Sequence, residues 1–343
     1  MKPSELTRFL SVMIPAYQKV NKHLPVLIKG KPGIGKTDLV FKAASEAGYD
    51  MITMHPVVSD PTDVKGLPMA VEDPETGEKK AVWLPFGDLE KLINADKPTV
   101  AFLDDLGQAP PVVQAAFMQL LLSRSLNEHK ISDHVAFVAA TNRKADKAGV
   151  SGVLEPVKSR FASIVELEVD HEDWSAWAFG AGVPNELIAF VKMRPDLLHD
   201  FQPTSDISNT PSPRTVAYIG KMMQMELPSE LEYEAFCGAA GEGFAGEFQA
   251  FLRIYRNLPD PDECIKDPQN MKVPSDPSTK HALAAALAFR AKDSNMAKIV
   301  ECADRFPDEF GVMMMKSATQ RDSNLKKTKP FLDWVRHHKD VLV

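Results

Sequence analysis

Residues 30–37 read Gly30-Lys31-Pro32-Gly33-Ile34-Gly35-Lys36-Thr37, a full G-x-x-x-x-G-K-T pattern. No other stretch restricts the fold as much, because this pattern works only between a buried strand and the first turn of a helix. Both neighbours are legible. Residues 25–28 form a short apolar run, and from Asp38 onward Leu39, Val40, Ala43, Ala44 and Ala47 share one helical face, with Gly48 placed to cap it. Glycines let successive backbone amides curl around an anion, and the helix start adds partial positive charge. Average residue usage makes a chance match in a chain of this length a roughly one-in-a-hundred event. The plain alternative, a glycine-rich turn with an exposed lysine, requires neither flank.

Four further apolar runs, 51–58, 99–103, 135–140 and 163–167, stand between turn-forming residues. None alternates apolar with polar, so each reads as a strand buried on both faces, as in a parallel sheet. Helical patterns lie between them, which makes the first half an α/β unit with helices on both faces of the sheet. Two hairpins interrupt the rhythm. Residues 69–83 place Asp73-Pro74-Glu75-Thr76-Gly77 between two strand-like pieces, and residues 125–135 follow a helix at 112–122.

Beyond about residue 170 the strand signal stops. Helical patterns at 172–179, 184–193, 214–225 and 229–241, with more to 338, predict an all-α region broken by a polar loop at 202–213. Residues 259–277, with Pro259, Pro261, Pro268, Pro274 and Pro277 among many acids, read as a linker. The expected organisation is an α/β domain over 1–169, a helical lid over 170–258, and a linker with a C-terminal helical extension over 259–343. A chain of 343 residues exceeds what one core usually holds. With 44% apolar and 25% charged residues it is too apolar for disorder.

The net charge of −7, with no basic block beyond Lys326, Lys327 and Lys329, argues against bulk attraction to nucleic acid or an anionic membrane. Lys2, Glu5 and Arg8 interrupt what would be the apolar part of a signal peptide, and no run approaches ~18 apolar residues. Cys237, Cys264 and Cys302 are few, scattered and odd in number, which fits reduced structural thiols. A cytoplasmic protein is expected.

The loop predicts where chemistry sits. Gly30, Pro32, Gly33, Ile34 and Gly35 would wrap the β-phosphate of a nucleotide, with Asp38 opening the helix. Lys36 brings a full cation to the β- and γ-phosphates, and the Thr37 hydroxyl reaches Mg²⁺. A phosphate cradle needs a metal-holding acid at the end of another strand, and 99–103 is followed by Asp104 and Asp105. Asp104 would hold Mg²⁺ through water, and Asp105 would orient or deprotonate the attacking water. Asn142, at the end of the fourth run, can donate to the γ-phosphate or that water. Arg160, just before the fifth run, and Arg214, at a helix start, could stabilise charge developing on a cleaved phosphate, with Arg124 and Arg143 as rivals for that role. A guanine-reading Asn-Lys-x-Asp motif does not occur, which favours ATP. Trp174 and Trp177 read as core packing, and His55 and His171 as ordinary histidines without partners at ligand spacing.

Taken together GKPGIGKT, VAFLDDLGQAPPVVQAAFMQLLL, VAATNR, KSRF and PSPRT resemble, in this order and across nearly the whole chain, the MoxR-like, dynein-related branch of the AAA+ ATPases. The resemblance implies a P-loop NTPase sheet ordered 5-1-4-3-2, an all-α lid, and a hexameric ring around a pore. It assigns Lys36 and Thr37 to the first nucleotide motif and Asp104 with Asp105 to the second. Asn142 becomes the first sensor, Arg160 a finger acting on a neighbouring subunit's ATP, and Arg214 the second sensor. It also places both hairpins toward a pore or partner. It implies a chaperone that remodels a client, commonly one carrying a von Willebrand factor A domain. The family's second motif normally ends Asp-Glu, whereas this chain has Asp104-Asp105, so slow turnover is expected. Two other readings are an ATP-dependent assembly switch with little hydrolysis and a DNA-associated loader; the acidic balance disfavours the second.

Overall fold

A computed structural model describes residues 1–72, 77–127, 129–146, 152–202, 206–225 and 227–338. The chain divides into two compact units, Met1–Val169 and Asp170–Val343.

The first unit is built on five parallel strands, β1 (Val26–Lys29), β2 (Asp50–Met54), β3 (Thr99–Leu103), β4 (Val135–Thr141) and β5 (Ser163–Glu166). Their order across the sheet is 2-3-4-1-5, the expected 5-1-4-3-2 seen from the other edge. Strand sequences without alternation find their reason in two cores. On one face Val26, Ile28, Val100, Phe102, Val138 and Ala140 meet Leu6, Leu10 and Ile14 from the N-terminal helix α1 (Pro3–Met13) and its flank. Val40, Ala43 and Ala44 of α2 (Lys36–Glu46) complete that layer. On the other face Leu27, Ala101, Leu103, Phe137 and Ala139 meet Val113, Ala116, Phe117 and Leu120 of α3 (Pro111–Ser123). In the inner strands adjacent residues serve opposite cores, so both must be apolar, whereas Ile164 of the edge strand β5 is 44% exposed. Phe102 and Phe117 are fully buried, each contributing about 1.5–3 kcal/mol relative to exposure.

Both expected hairpins form. In the first, Leu67–Glu72 pairs with Lys79–Leu84 in antiparallel register from Leu67↔Leu84 to Glu72↔Lys79; residues 73–76 at its turn fall outside the described residues. In the second the strands are only Ser125–Leu126 and His129–Lys130. The second sheet strand is shorter than its apolar run. Pro56 starts a 3-10 turn over Pro56–Val58, which leaves Val58 82% exposed.

Every regular element described in the second unit is a helix. Among its helices, α4 (His171–Gly180) buries Trp174 but leaves Trp177 half exposed, so the pair expected in the core contributes one ring. The pattern expected to end at Gly241 continues after a break there (φ +83°, ψ +163°) to Arg256. The proline-rich stretch expected as a linker packs instead: Cys264 and Ile265, on the short helix Pro261–Lys266, and Met271 are buried with Leu283, Leu287 and Trp334. No helix of the described residues is long and apolar enough to cross a membrane.

Candidate functional site

The loop between β1 and α2 turns through left-handed backbone at Gly33 (φ +73°) and Gly35 (φ +87°), a conformation that side chains with a Cβ rarely adopt. A Cβ at Gly35 would meet nothing within 4 Å, so the loop leaves open space where it bends. Gly30 is different. There a Cβ would lie 2.7 Å from Ile34 Cδ1 and 3.2 Å from the Leu167 carbonyl oxygen, which fits the loop base tightly against the chain leaving β5.

Lys36, the first residue of α2, is only 8% exposed. Its ammonium donates to the Gly30 carbonyl (3.2 Å), the Lys31 carbonyl (2.9 Å) and Asn142 Oδ1 (2.6 Å). The next residue, Thr37, donates its hydroxyl to Asp104 Oδ2 at 3.0 Å. Asp104 continues the β2–β3 ladder, its amide donating to the Met54 carbonyl, while its Oδ1 accepts from the Asp105 amide. Asp105 then leaves the strand in left-handed backbone (φ +55°, ψ +35°), one of four non-glycine residues with positive φ among those described. From β4, Asn142 donates its amide to Asp105 Oδ1 at 3.3 Å. The carboxyl ends of β1, β3 and β4 therefore bring Lys36, Thr37, Asp104, Asp105 and Asn142 into one connected group, at the edge of an open sheet where ligands bind.

Asp104 and the Thr37 hydroxyl form an all-oxygen donor pair suited to a hard cation such as Mg²⁺. No cluster of three or more His, Cys, Asp or Glu that could hold a metal occurs among the described residues, so a cation here would complete its shell from nucleotide phosphates and water.

The arginines separate clearly. Arg143 is tied down within its own unit: Nε and Nη2 donate to Asp146 (3.0 and 2.8 Å) and Nη1 to Glu166 (3.2 Å), and the Asp146 hydrogen bonds hold its pKa above the usual guanidinium value. Glu166 also pairs with Lys29 at 2.8 Å, and that bond, with Arg143, keeps its carboxyl below the usual range. Arg124 folds inward, donating to the Ser132 carbonyl at 2.6 Å over the Phe137 ring, and burial lowers its pKa. Arg160 follows the short helix Glu155–Lys158 and precedes β5, whose Ser163 is level with Val26 at the start of β1. It thus stands at the end of the sheet opposite the glycine loop. Its Nε is buried without a hydrogen-bond partner. Arg214 is exposed at the second residue of helix Pro213–Gln224 in the other unit, whose start is capped by the Ser212 hydroxyl.

A cleft of about 440 Å³ opens beside Asn142, lined also by Lys29, Arg143, Lys144, Lys158, Gly152 and Val153; none of residues 30–37 lines it.

No protein-family model matches the chain, and no curated protein is significantly similar to it. Among solved structures, the chain is similar to the RuvB Holliday junction branch migration motor of Thermotoga maritima, with 18% identity over 83% of this chain and 81% of that one and a TM-score of 0.41. A RuvB variant from the same organism gives 17%, the same coverages and 0.42. A superposition this loose leaves the chemistry of the site to the chain's own residues.

One residue that matters for this site was not singled out from the sequence. Gln114 is fully buried inside α3 and hydrogen-bonded to three backbone groups. Its signal was available: a lone amide among Val113, Ala116, Phe117 and Leu120 on the face of a core helix.

Proposed function

We propose that the chain is a Mg²⁺-dependent ATPase of AAA+ type that works as a ring, in which each subunit's nucleotide is completed by a neighbour's arginine. The observation that carries this is the hydrogen-bonded group of Lys36, Thr37, Asp104, Asp105 and Asn142 at the ends of three adjacent strands. In it Lys36 is the cation for the β- and γ-phosphates, and the loop amides after Gly33 surround them. Bound Mg²⁺ supplies neutralisation of the phosphate oxygens. Thr37 and Asp104 hold that ion. Asp105 takes the proton of the attacking water, and Asn142, which donates to Asp105, orients that water. Gly30, Pro32, Ile34, Gly35 and Asp38 shape the loop and the helix start.

The finger is Arg160. Arg143 spends its donors on Asp146 and Glu166, and Arg124 is folded inward onto the Ser132 carbonyl with its Nε and Nη1 buried, whereas Arg160 sits at the far end of the sheet from its own loop, a position suited to acting on another copy. Arg214 serves as a second sensor from the helical unit. The MoxR-like resemblance extends the reading to a hexameric chaperone that remodels a protein client, with the hairpin Leu67–Glu72/Lys79–Leu84 as a contact element: its Leu67, Met69, Val71 and Leu84 are exposed. A second reading, a nucleotide-gated assembly switch with little turnover, is favoured by Asp105, one methylene shorter than glutamate.

Phosphate release from the assembled protein with ATP and Mg²⁺ tests the reading. Arg160→Ala is expected to keep ATP affinity within about threefold and lower turnover by on the order of 10³-fold, the scale of a lost arginine finger. Full turnover in that variant removes Arg160 from the site, and no association of Mg-ATP by calorimetry removes the site itself.

A further inference from the structure

Between the acidic strand end and Arg160 the structure has one continuous set of hydrogen bonds, and Gln114 is its centre. Asp105 turns the chain left-handed into a 3-10 turn at Leu106–Gln108. Within that turn Gly107 packs so closely on the end of β4 that a Cβ would lie 2.2 Å from Thr141 Oγ1. The Gly107 carbonyl accepts from the Gly152 amide at 3.2 Å. Gln114, 0% exposed, donates Nε2 to the Ala109 carbonyl and to the Gly152 carbonyl, both at 3.0 Å, and its Oε1 accepts from the Leu154 amide at 3.0 Å. One side chain thus serves Gly152 and Leu154 as a neighbouring strand would, while holding the end of the Asp105 turn.

Leu154 caps the short helix Glu155–Lys158: its carbonyl accepts from the Val157 and Lys158 amides at 2.9 and 3.0 Å. The Val157 carbonyl in turn accepts from the Arg160 amide at 3.1 Å, and Val157 is buried in the core with Val113 and Phe117. Arg160 therefore rests on a helix whose first turn is fixed by Gln114.

We propose that Gln114 is a positioning residue for Arg160, linking the backbone at Asp105 in one subunit's own site to the arginine that serves the site of the adjacent copy. The inference rests on the ring ATPase reading above. Its physical basis is that a buried amide with all three contacts to backbone transmits displacement rather than absorbing it: if the 106–109 turn shifts, Gly152 and Leu154 shift with it or three buried hydrogen bonds break. A misplacement of about 1 Å at a catalytic group lowers rates by on the order of 10²-fold, so a small loss of order here is readable as turnover.

The experiment compares Gln114→Leu, which removes all three bonds, with Gln114→Glu, which keeps volume and the acceptor for the Leu154 amide but loses both donated bonds. Either is expected to bind Mg-ATP within about threefold of wild type and to turn over roughly 10- to 100-fold more slowly as a homogeneous ring. The deciding measurement mixes each variant one-to-one with Asp105→Asn subunits, which keep Arg160 but lack the proposed base. Because the defect lies in the finger, the Gln114 variant's own intact site should regain turnover when a neighbour donates a sound Arg160. An Arg160→Ala mixture run in parallel should recover in the same way. Recovery of Arg160→Ala without recovery of either folded Gln114 variant overturns the inference and leaves the ring reading standing. Wild-type turnover in the unmixed Gln114 variants overturns it equally. Failure of Arg160→Ala to recover overturns the trans-acting finger and the inference together. Circular dichroism and thermal melting establish which Gln114 variant is folded, and Gln114→Glu carries the test if Gln114→Leu is not.

Discussion

Replacing Lys36 with methionine should separate stability from ligand affinity in opposite directions. In the free chain the Lys36 ammonium donates to two backbone carbonyls and to Asn142 Oδ1, so a nucleotide must exchange these acceptors rather than fill empty ones. Hydrogen bonds to charged groups contribute about 1.5–3 kcal/mol each, and neutral acceptors hold the ammonium less strongly than phosphate oxygens do. Two exchanged contacts then give a net gain of about 2–4 kcal/mol on binding, which corresponds to roughly 30- to 1000-fold in the dissociation constant. The same substitution removes an ammonium that is 8% exposed and puts a flexible apolar chain of similar length in its place. Taking a charge out of a buried position relieves its desolvation, which offsets the three lost hydrogen bonds to neutral acceptors, so the melting temperature of the nucleotide-free protein should stay level or rise slightly. Isothermal titration with Mg-ATP gives the affinity and differential scanning calorimetry the stability. A Lys36→Met protein that binds Mg-ATP within threefold of wild type would refute the assignment of the loop. A large fall in melting temperature would refute the view that this lysine is held ready for a ligand at the expense of the resting fold.

Asp105→Asn should leave Mg-ATP affinity nearly unchanged and reduce steady-state phosphate release by about 10²-fold or more, the usual contribution of a positioned base; equal turnover would exclude the role. His23 supplies a pH test. Burial first, and then the neighbouring Arg124 guanidinium, push its pKa down to about 4, against 6.5 for an ordinary imidazole, while Asp133 opposes them. Because the unfolded chain takes up this proton near pH 6.5 and the folded chain only near 4, this contribution is complete above pH 6.5 and is lost as pH falls through that window. Its side chain keeps 13% exposure, so the loss should be roughly 1–2 kcal/mol rather than the full shift, and His23→Gln should flatten urea-derived stability between pH 7 and 4.5. An equal slope in wild type and variant would remove His23 as the cause.

The sheet was legible because its strands are buried on both faces, and a run such as Thr99 to Leu103 has few other places to go. The grouping of Lys36, Thr37, Asp104, Asp105 and Asn142 was legible for a different reason: they sit at fixed offsets from strand ends, so finding the strands brings them together. What hydropathy does not show is which side chains and backbone groups pair. Arg143 looks free beside Asn142, yet Glu166 and Asp146 hold it; Arg124 looks free after α3, yet the Ser132 carbonyl and the Phe137 ring draw it inward. Val57 and Val58 read as strand because hydropathy does not weigh the missing amide of Pro56. Helix α1 escaped notice although Leu6, Phe9, Leu10 and Met13 stand at helical spacing, because Lys2, Glu5 and Arg8 were weighed only against a signal peptide.

Asp105 stands where the resemblance would place a glutamate, and its backbone suits the shorter side chain. Asp105 has φ +55°, a left-handed conformation in which short polar side chains are enriched because they can bond locally, and in which a longer one gains nothing. Its carboxylate accepts from Asn142, and Asn142 accepts from Lys36, so the proposed base, sensor and phosphate cation are linked through one amide. A ligand that drew only Lys36 away would leave Asn142 Oδ1 without its strongest donor; one that satisfied Lys36 and Thr37 together would also relieve Asp104 of the Thr37 hydroxyl. The two halves of the group are on successive residues of α2, Lys36 bonded to Asn142 and Thr37 to Asp104. We expect a metal-bound polyphosphate, which offers an anion to Lys36 and a cation to Thr37 and Asp104, to bind more tightly than inorganic phosphate; equal affinities by calorimetry would refute that pairing.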